Sequence, residues 1–223
     1  MTTEYNILGA SHATISVILE TLHRIHPAGV RATIIQNTVV EDELPFDLPP
    51  VETTTMFHDG WDHREDASRQ VPCLCGVYKP AVKQAVFDFF ETHYRVGFAH
   101  YANLVHPTTN VALTVRLDAG VYVGPHTVMA PYTRLGNLVS VNRSVTIGHH
   151  TTIGDFCTLN PGVNVAGRCR IGRSVTIGMG ANIVDDVTVG DSAVVGAGAL
   201  VTRDVPPRVT VYGVPARVVG AVQ

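Results

Sequence analysis

Histidine and cysteine are the side chains in this sequence that offer the most chemistry. The chain has 223 residues, of which 11 are histidine and 4 are cysteine. Two histidines are adjacent, His149 and His150, and an imidazole exchanges a proton near neutral pH, so this pair can supply a general base. Cys73 and Cys75 flank a single residue, and a zinc site would need further ligands beside them. We therefore expect these thiols to be buried rather than metal-bound.

The composition of the chain excludes several classes of protein. It is 45% hydrophobic and 16% charged, which provides enough apolar surface to offset the entropy cost of folding. The net charge of −3 disfavours a nucleic-acid-binding protein, which is usually basic. The sequence has neither an apolar run long enough to cross a membrane nor the basic and then apolar layout of a signal peptide. We expect a cytoplasmic protein that neither spans a membrane nor binds nucleic acid.

Valine divides the chain into two regions. Residues 1–104 contain 10 valines, whereas residues 105–223 contain 25. We place the boundary near His100–His106 and predict an N-terminal domain over residues 1–102 and a second domain over residues 103–223.

The second region contains an internal repeat with a period of six. From Val105, an aliphatic residue or methionine recurs at every sixth position through Val201, without a change of register. A small or β-branched residue stands four positions after each of them, and glycine often comes directly after the aliphatic residue. The aliphatic series is Val105, Val111, Leu117, Val123, Met129, Leu135, Val141, Ile147, Ile153, Leu159, Val165, Ile171, Ile177, Ile183, Val189, Val195 and Val201.

A period of six fits neither a helix nor a single strand, whose periods are 3.6 and 2. It fits a short strand followed by a corner, so three successive repeats make one triangular coil. In such a coil the aliphatic residue fills the interior, the small residue fits the corner, and glycine permits backbone angles that other residues resist. A β-sandwich with this spacing by coincidence is the alternative, and seventeen unbroken matches argue against it.

The N-terminal region has the pattern of a small α/β domain. A strand over residues 5–8 is followed by a glycine turn and a helix over residues 13–25. Further strands are expected over residues 30–35 and 72–76, and a second helix over residues 81–94. Strand, turn and helix in this order can hold an anion at the helix N-terminus. Residues 38–71 receive no assignment.

The hexapeptide pattern resembles that of the hexapeptide-repeat acyltransferases. This resemblance implies a mainly β fold, a left-handed parallel β-helix, and a homotrimer. Joined to a small Rossmann-like α/β domain, the chain resembles the sialic-acid O-acetyltransferase-like family, which includes N-acetyltransferases of bacillosamine and perosamine synthesis. The segment from Val141 to Phe156 looks like the active-site segment of that family, and the ending Tyr212-Gly213-Val214-Pro215-Ala216-Arg217 matches its closing motif.

The resemblance implies an acetyl-CoA-dependent acetyltransferase with His149 as general base. The acceptor, an amino or hydroxyl group of a nucleotide-linked sugar, would attack acetyl-CoA directly. The family usually has an acidic residue after this histidine, whereas this chain has His150, to which we give a supporting role. Both imidazoles should lie on the outer wall, since they follow the inward Ile147 by two and three positions.

Substrate-binding residues are carried over from the same family. For coenzyme A they are Thr158, Gly167, Met179, Ala197 and Arg217, with the amide of Gly167 as oxyanion donor. For the acceptor they are Ser11, His12, Gly76 and Asn142. The glycine turn is one residue shorter than in the family, and Gln36-Asn37 replaces the acidic pair expected there.

Two other functions stay open at the level of sequence. The altered turn and His150 favour a non-catalytic β-helix that binds a sugar or a partner protein. A β-helical metalloenzyme would need ligands stacked a whole number of coils apart, but the spacings of 20 and 23 between His106, His126 and His149 are not multiples of three hexapeptides. The sequence therefore predicts no metal site.

Overall fold

The chain folds into two compact units, Met1–Pro107 and Thr108–Gln223. The computed structural model of the protein describes residues 3–38 and 51–222. Among these residues, no helix combines the length and the hydropathy that a membrane span requires.

The first unit alternates strands and helices. Its elements are β1 (Thr3–Leu8), α1 (His12–Ile25), β2 (Val30–Gln36), β3 (Val51–Phe57), α2 (His63–Ser68), β4 (Cys73–Cys75), α3 (Pro80–Tyr94) and β5 (Leu104–Val105), with short 3₁₀ turns at His58–Gly60 and Phe98–His100.

A parallel sheet in the order β3-β2-β1-β4 organises the described part of the first unit. The helix α1 buries a stripe of apolar residues with helical spacing, which explains why this segment folds as an amphipathic helix. The stripe consists of Ile15, Ile18, Leu19 and Leu22. The expected strands and helices of this unit are present, within one or two residues of the predicted bounds.

The strand β3 and the helix α2 lie within residues 38–71, for which the sequence gives no assignment. The sequence of β3, VETTTMF, is polar and threonine-rich, and most of its residues are exposed or half-buried. It therefore lacks the apolar alternation by which a strand is recognised. Residues 39–50 of this stretch lie outside the described residues.

The second unit is a stack of two-residue strands. They are β6 (Asn110–Val111), β7 (Arg116–Leu117), β8 (Tyr122–Val123), β9 (Val128–Met129), β10 (Arg134–Leu135), β11 (Ser140–Val141), β12 (Thr146–Ile147), β13 (Thr152–Ile153), β14 (Thr158–Leu159), β15 (Asn164–Val165), β16 (Arg170–Ile171), β17 (Thr176–Ile177), β18 (Asn182–Ile183), β19 (Thr188–Val189), β20 (Val194–Val195) and β21 (Leu200–Val201). The closing strands are β22 (Val209–Tyr212) and β23 (Arg217–Ala221).

From β6 to β21, every third strand pairs in parallel, so each residue is a neighbour of its counterpart one coil, or three hexapeptides, later in the chain. The orders are β6-β9-β12-β15-β18-β21, β7-β10-β13-β16-β19 and β8-β11-β14-β17-β20-β22-β23. In β12, for example, Thr146 pairs with Asn164 of the next coil. The second residue of each strand is the aliphatic one, and from Val123 onward it is at most 3% exposed. The predicted triangular coil with an aliphatic interior is therefore confirmed.

The glycines of the repeat have a different role from the one that the sequence suggests. The glycine after each aliphatic residue does not have a positive φ. At Gly148, an added Cβ would collide with the carbonyl carbon of Ala166 and lie 2.5 Å from the amide nitrogen of Gly167. These glycines therefore allow adjacent coils to approach closely. The left-handed backbone occurs two positions later, where side chains such as His150 (φ 58°) and Phe156 (φ 62°) stand.

The C-terminal strands lie at the end of the stack. The strand β22 continues one sheet by parallel pairing with β20, and β23 pairs antiparallel with β22. Val211 of β22 is buried, whereas every residue of β23 is exposed. This hairpin covers one edge of the last coil, in the manner expected of a closing segment.

Candidate active site

The corner between β12 and β13 carries His149 and His150. Counterparts in successive coils lie one above another, so this corner stacks His149 on Gly167 and then on Asp185. The stacking is visible in the backbone, where Arg168 N donates to His149 O at 2.8 Å and Asp186 N donates to Gly167 O at 3.1 Å. His150, Arg168 and Asp186 form the adjacent column, and we call the two columns together the His149 corner.

The two histidines of the His149 corner contact each other. His149 and His150 are both exposed, and their Nδ1 atoms lie 3.0 Å apart. The ring of Tyr132, one coil earlier, packs on His150 with the ring centroids 4.8 Å apart. His150 has a left-handed backbone, with a φ of 58°. With His149 Nδ1 engaged, its Nε2 atom is directed elsewhere.

The Nε2 atom of His149 lies over Gly167. A Cβ added at Gly167 would be 2.9 Å from His149 Nε2 and 3.1 Å from Asp185 Oδ1. Glycine therefore keeps open a small space bounded by an imidazole nitrogen and a carboxylate. The amide nitrogen of Gly167 donates a hydrogen bond to Asp185 Oδ1 at 3.0 Å. A base and a backbone donor at one corner are the groups that acyl transfer requires.

The second column of the His149 corner contains an ion pair. The guanidinium of Arg168 donates two hydrogen bonds to Asp186, both at 2.7 Å. These hydrogen bonds are the main reason why the pKa of Asp186 lies below its usual value, and the charges of Arg168 and His149 lower it further. Asp185 is more loosely placed, 3.9 Å from Arg168, with its side chain 57% exposed.

Asn142 lies at a different corner of the same coil. It follows β11, whereas His149 follows β12, so one strand separates the two residues. Its side-chain Oδ1 accepts a hydrogen bond from Arg143 N at 2.8 Å, and its backbone O accepts one from Thr127 Oγ1. Within one chain, the structure therefore does not bring Asn142 and His149 together at one corner.

The residues predicted to bind coenzyme A are also distributed over separate places. Met179 and Ala197 are exposed and stack at the corner of Asn142, since they follow strands of the same sheet. Arg217 is exposed on β23. Thr158 in β14 is only 4% exposed, which does not suit direct contact with a ligand at the surface. Gly167 alone among the five lies at the His149 corner.

In the first unit, the predicted acceptor-binding residues converge at the carboxyl edge of the sheet. Ser11 and His12 follow β1, Gly76 follows β4, and these two strands are neighbours. A Cβ at Gly76 would collide with the carbonyl oxygen of Gly9, so glycine is required there. The strand order turns at β1, and ligands bind at such a position in open α/β sheets. The hydroxyl of Ser11 does not cap α1.

Sequence reasoning missed the acidic residues of the His149 corner. The usual family position for an acid is next to the histidine in sequence, whereas Asp185 reaches the corner from two coils away. The signal was the repeat itself, because His149, Gly167 and Asp185 are separated in turn by three whole hexapeptides. The described residues contain no group of three or more histidine, cysteine or acidic side chains that could hold a metal ion.

Comparisons with known proteins agree with this fold. Residues 168–203 match the model of the bacterial transferase hexapeptide (six repeats). No curated protein sequence matches the chain significantly.

Several solved structures superpose on nearly the whole chain. A mutant of perosamine N-acetyltransferase from Caulobacter crescentus, in complex with CoA and GDP-perosamine, is 24% identical with a TM-score of 0.79 and covers 99% of this chain and 98% of its own. WeeI from Acinetobacter baumannii is 21% identical with a TM-score of 0.78, covering 97% and 100%. The acetyltransferase domain of PglB from Neisseria gonorrhoeae, in complex with acetyl coenzyme A, is 18% identical with a TM-score of 0.67, covering 98% and 100%.

These similarities confirm the resemblance and the fold class that the sequence predicts. The chain carries bacterial transferase hexapeptide repeats and has the fold of these sugar acetyltransferases, a left-handed parallel β-helix with a small N-terminal α/β unit.

Proposed function

We propose that this protein transfers the acetyl group of acetyl-CoA to an amino or hydroxyl group of a sugar. The observation that carries the proposal is the close approach of His149 to Gly167, where its Nε2 atom lies 2.9 Å from the position that a Cβ would occupy, at an exposed corner of a hexapeptide β-helix. The solved structures of this fold named above include complexes with CoA, acetyl-CoA and GDP-perosamine, which supports a nucleotide-linked amino sugar as the acceptor.

His149 serves as the general base. When His149 Nδ1–H donates to His150 Nδ1, the Nε2 atom of His149 carries a lone pair and can accept a proton. The acceptor nitrogen or oxygen attacks the thioester carbonyl carbon and gives its proton to Nε2. The C–S bond then breaks, and the proton passes from Nε2 to the sulfur of CoA. No acyl-enzyme forms.

The amide of Gly167 stabilises the oxyanion of the tetrahedral intermediate. A backbone donor is fixed in position by the coil, so it can contribute roughly 3–4 kcal/mol of transition-state stabilisation. The close approach of His149 Nε2 to Gly167 supports this role, because base and donor must reach the same reacting group.

A complete site needs a second copy of the chain. Asn142, Met179 and Ala197 lie one corner away from His149 in the same chain, so they can complete the site of a neighbouring copy. We therefore propose a homotrimer with CoA in the groove between adjacent helices, and Arg217 near a CoA phosphate. Thr158 stays a prediction that its low exposure does not support.

The N-terminal domain, residues 1–102 by our boundary, binds the acceptor through Ser11, His12 and Gly76, and residues 103–223 carry the transfer site. N-acetylation is favoured over O-acetylation. The acetylated sugar serves in the synthesis of surface polysaccharides, and the reaction takes place in the cytoplasm. The alternative is a non-catalytic sugar- or partner-binding protein, which the replacement of the usual acid by His150 favours.

The test is a thiol-release assay with acetyl-CoA against nucleotide-linked amino sugars and sialic acids. The wild type is compared with His149→Ala and with Ser174→Ala, a control at the third corner of the coil, away from both His149 and Asn142. We expect acceptor-dependent release by the wild type and the control, and its loss in His149→Ala. No release with any acceptor, together with no binding of acetyl-CoA by calorimetry, supports the binding protein instead. Equal release by His149→Ala removes His149 as the base.

A further inference from the structure

Asp185 accepts a hydrogen bond from the backbone amide that the thioester carbonyl needs in the proposed function. Its Oδ1 atom accepts the N–H of Gly167 at 3.0 Å, and Gly167 is the residue that His149 Nε2 approaches closely. A carbonyl oxygen of acetyl-CoA that binds the same N–H must replace the carboxylate, since both approach along the N–H direction.

The contact between Asp185 and the amide of Gly167 is weakly held and can be broken. The Asp185 side chain is 57% exposed, and its ion-pair distance to Arg168 is 3.9 Å. Arg168 is committed to Asp186 by two hydrogen bonds of 2.7 Å. Asp185 is therefore held near Gly167 chiefly by a single amide, and water can solvate its carboxylate when that amide is released.

We propose that Asp185 sets how strongly this protein distinguishes acetyl-CoA from CoA, by competing with the thioester carbonyl for the amide of Gly167. The inference rests on the proposed function. CoA has a thiol in place of the acetyl group, so it presents no carbonyl to Gly167 and leaves the Asp185 contact intact. Acetyl-CoA must displace the carboxylate. Asp185 therefore weakens the binding of acetyl-CoA while leaving CoA unaffected at this position.

The same hydrogen bond recurs elsewhere in the coil and supplies a matched control. Asp191 Oδ1 accepts the N–H of Arg173 at 2.8 Å, again from one coil later in the chain, at a different corner from His149. If Asp185 only supports the coil, substitutions at Asp185 and at Asp191 have the same consequences. If it competes for a ligand group, only Asp185 affects the affinity ratio.

The experiment measures the Kd of CoA and of acetyl-CoA by calorimetry for the full chain and its variants. We expect Asp185→Ala to raise the preference for acetyl-CoA over CoA by about fivefold, the equivalent of one net hydrogen bond. We expect Asp185→Asn, which keeps an acceptor without the charge, to give a smaller increase, and Asp191→Ala to give none. The ratio of the Kd of CoA to the Kd of acetyl-CoA cancels any general effect of removing a negative charge near these anionic ligands.

Three outcomes would overturn the inference, and they are distinguishable from one another. If both ligands bind and the ratio in Asp185→Ala equals that of the wild type, Asp185 does not compete, while the proposed function stands. If Asp191→Ala raises the ratio as much as Asp185→Ala, the effect is a general one on the coil. If neither ligand binds the wild type, the proposed function fails and this inference fails with it.

Discussion

The Nδ1 atoms of His149 and His150 lie 3.0 Å apart, so one of the two must donate a proton to the other. If His150 donates, the proton of a neutral His149 stands on Nε2, and this nitrogen cannot act as a base. If His149 donates, its Nε2 is available. Two protonated imidazoles repel each other and cannot form the hydrogen bond. The second histidine therefore has a direct influence on which nitrogen of the first one is basic.

Substitution of His150 should reduce turnover while leaving substrate binding intact. We expect His150→Ala to lower kcat by about tenfold with little change in the KM for acetyl-CoA, because the acceptor that orients His149 is lost. We expect His150→Glu to keep the activity of the wild type, since a carboxylate accepts from His149 Nδ1–H and stabilises the imidazolium. Steady-state kinetics over a range of pH give both constants.

The control for this prediction is Ser174→Ala. Ser174 has the same left-handed backbone as His150 (φ 56° and 58°) but lies at the third corner of the coil, away from both His149 and Asn142. It should leave kcat unchanged, which separates catalysis from a general effect of corner substitutions. A kcat for His150→Ala equal to that of the wild type would show that His149 needs no partner at Nδ1.

The repeat made most of the second unit predictable from sequence, because one aliphatic residue in six must face a narrow interior. The exposure of His149 followed from its position two places after Ile147. The function of the glycines was not predictable in the same way. Gly148 is needed because the next coil passes close to its Cα, and this is a contact between coils that no local rule reports.

Asp185 and β3 escaped prediction for different physical reasons. The effect of Asp185 depends on the side-chain geometry of three coils, although its register with His149 was available from the repeat. The strand β3 is polar because it is partly exposed, so its sequence lacks the apolar pattern of a core strand. It is stabilised by its pairing with β2, which is a tertiary feature.

Glycine substitutions should distinguish contact between coils from backbone strain. We expect Gly148→Ala to lower the free energy of unfolding by about 2 kcal/mol or more, because the new Cβ meets the backbone at Ala166 and Gly167. Gly180→Ala has open space around the Cβ but a φ of 64°, so the cost should be about 1 kcal/mol. Gly220→Ala has neither problem and should change stability by less than about 0.5 kcal/mol.

Urea unfolding followed by circular dichroism measures these three differences. The order of the losses is the critical result, with Gly148→Ala the largest. Equal losses for Gly148→Ala and Gly220→Ala would contradict the role assigned to Gly148.

The cysteines of the native protein should react slowly with thiol reagents. Burial, together with the charge of Asp66, raises the pKa of Cys73 to about 12, and burial also raises the pKa of Cys75 and Cys169. Cys157 is buried as well. We expect less than one equivalent of a chromogenic disulfide reagent to react within minutes at pH 8, and four after denaturation.

This outcome also decides whether release of CoA can be followed with the same reagent without background. Cys75 is the one cysteine that is not fully buried, so Cys75→Ala identifies the source of any residual reaction. Rapid native reaction that persists in Cys75→Ala would contradict the burial of the other thiols.

Because of its ion pair with Arg168, we expect Asp186 to titrate at a lower pH than a free aspartate. Hydrogen bonds from Arg168 hold the pKa of Asp186 below its usual value of 3.8, so the pair contributes stability above that value and loses it as the pH falls through the lowered pKa. The effect on Tm should be small, because both side chains are exposed.

Carboxyl NMR titration should show the midpoint of Asp186 rising in Arg168→Gln. It should stay unchanged in Arg134→Gln, which removes the separate ion pair with Asp118. An identical Asp186 midpoint in wild type and Arg168→Gln would mean that the ion pair does not persist in solution.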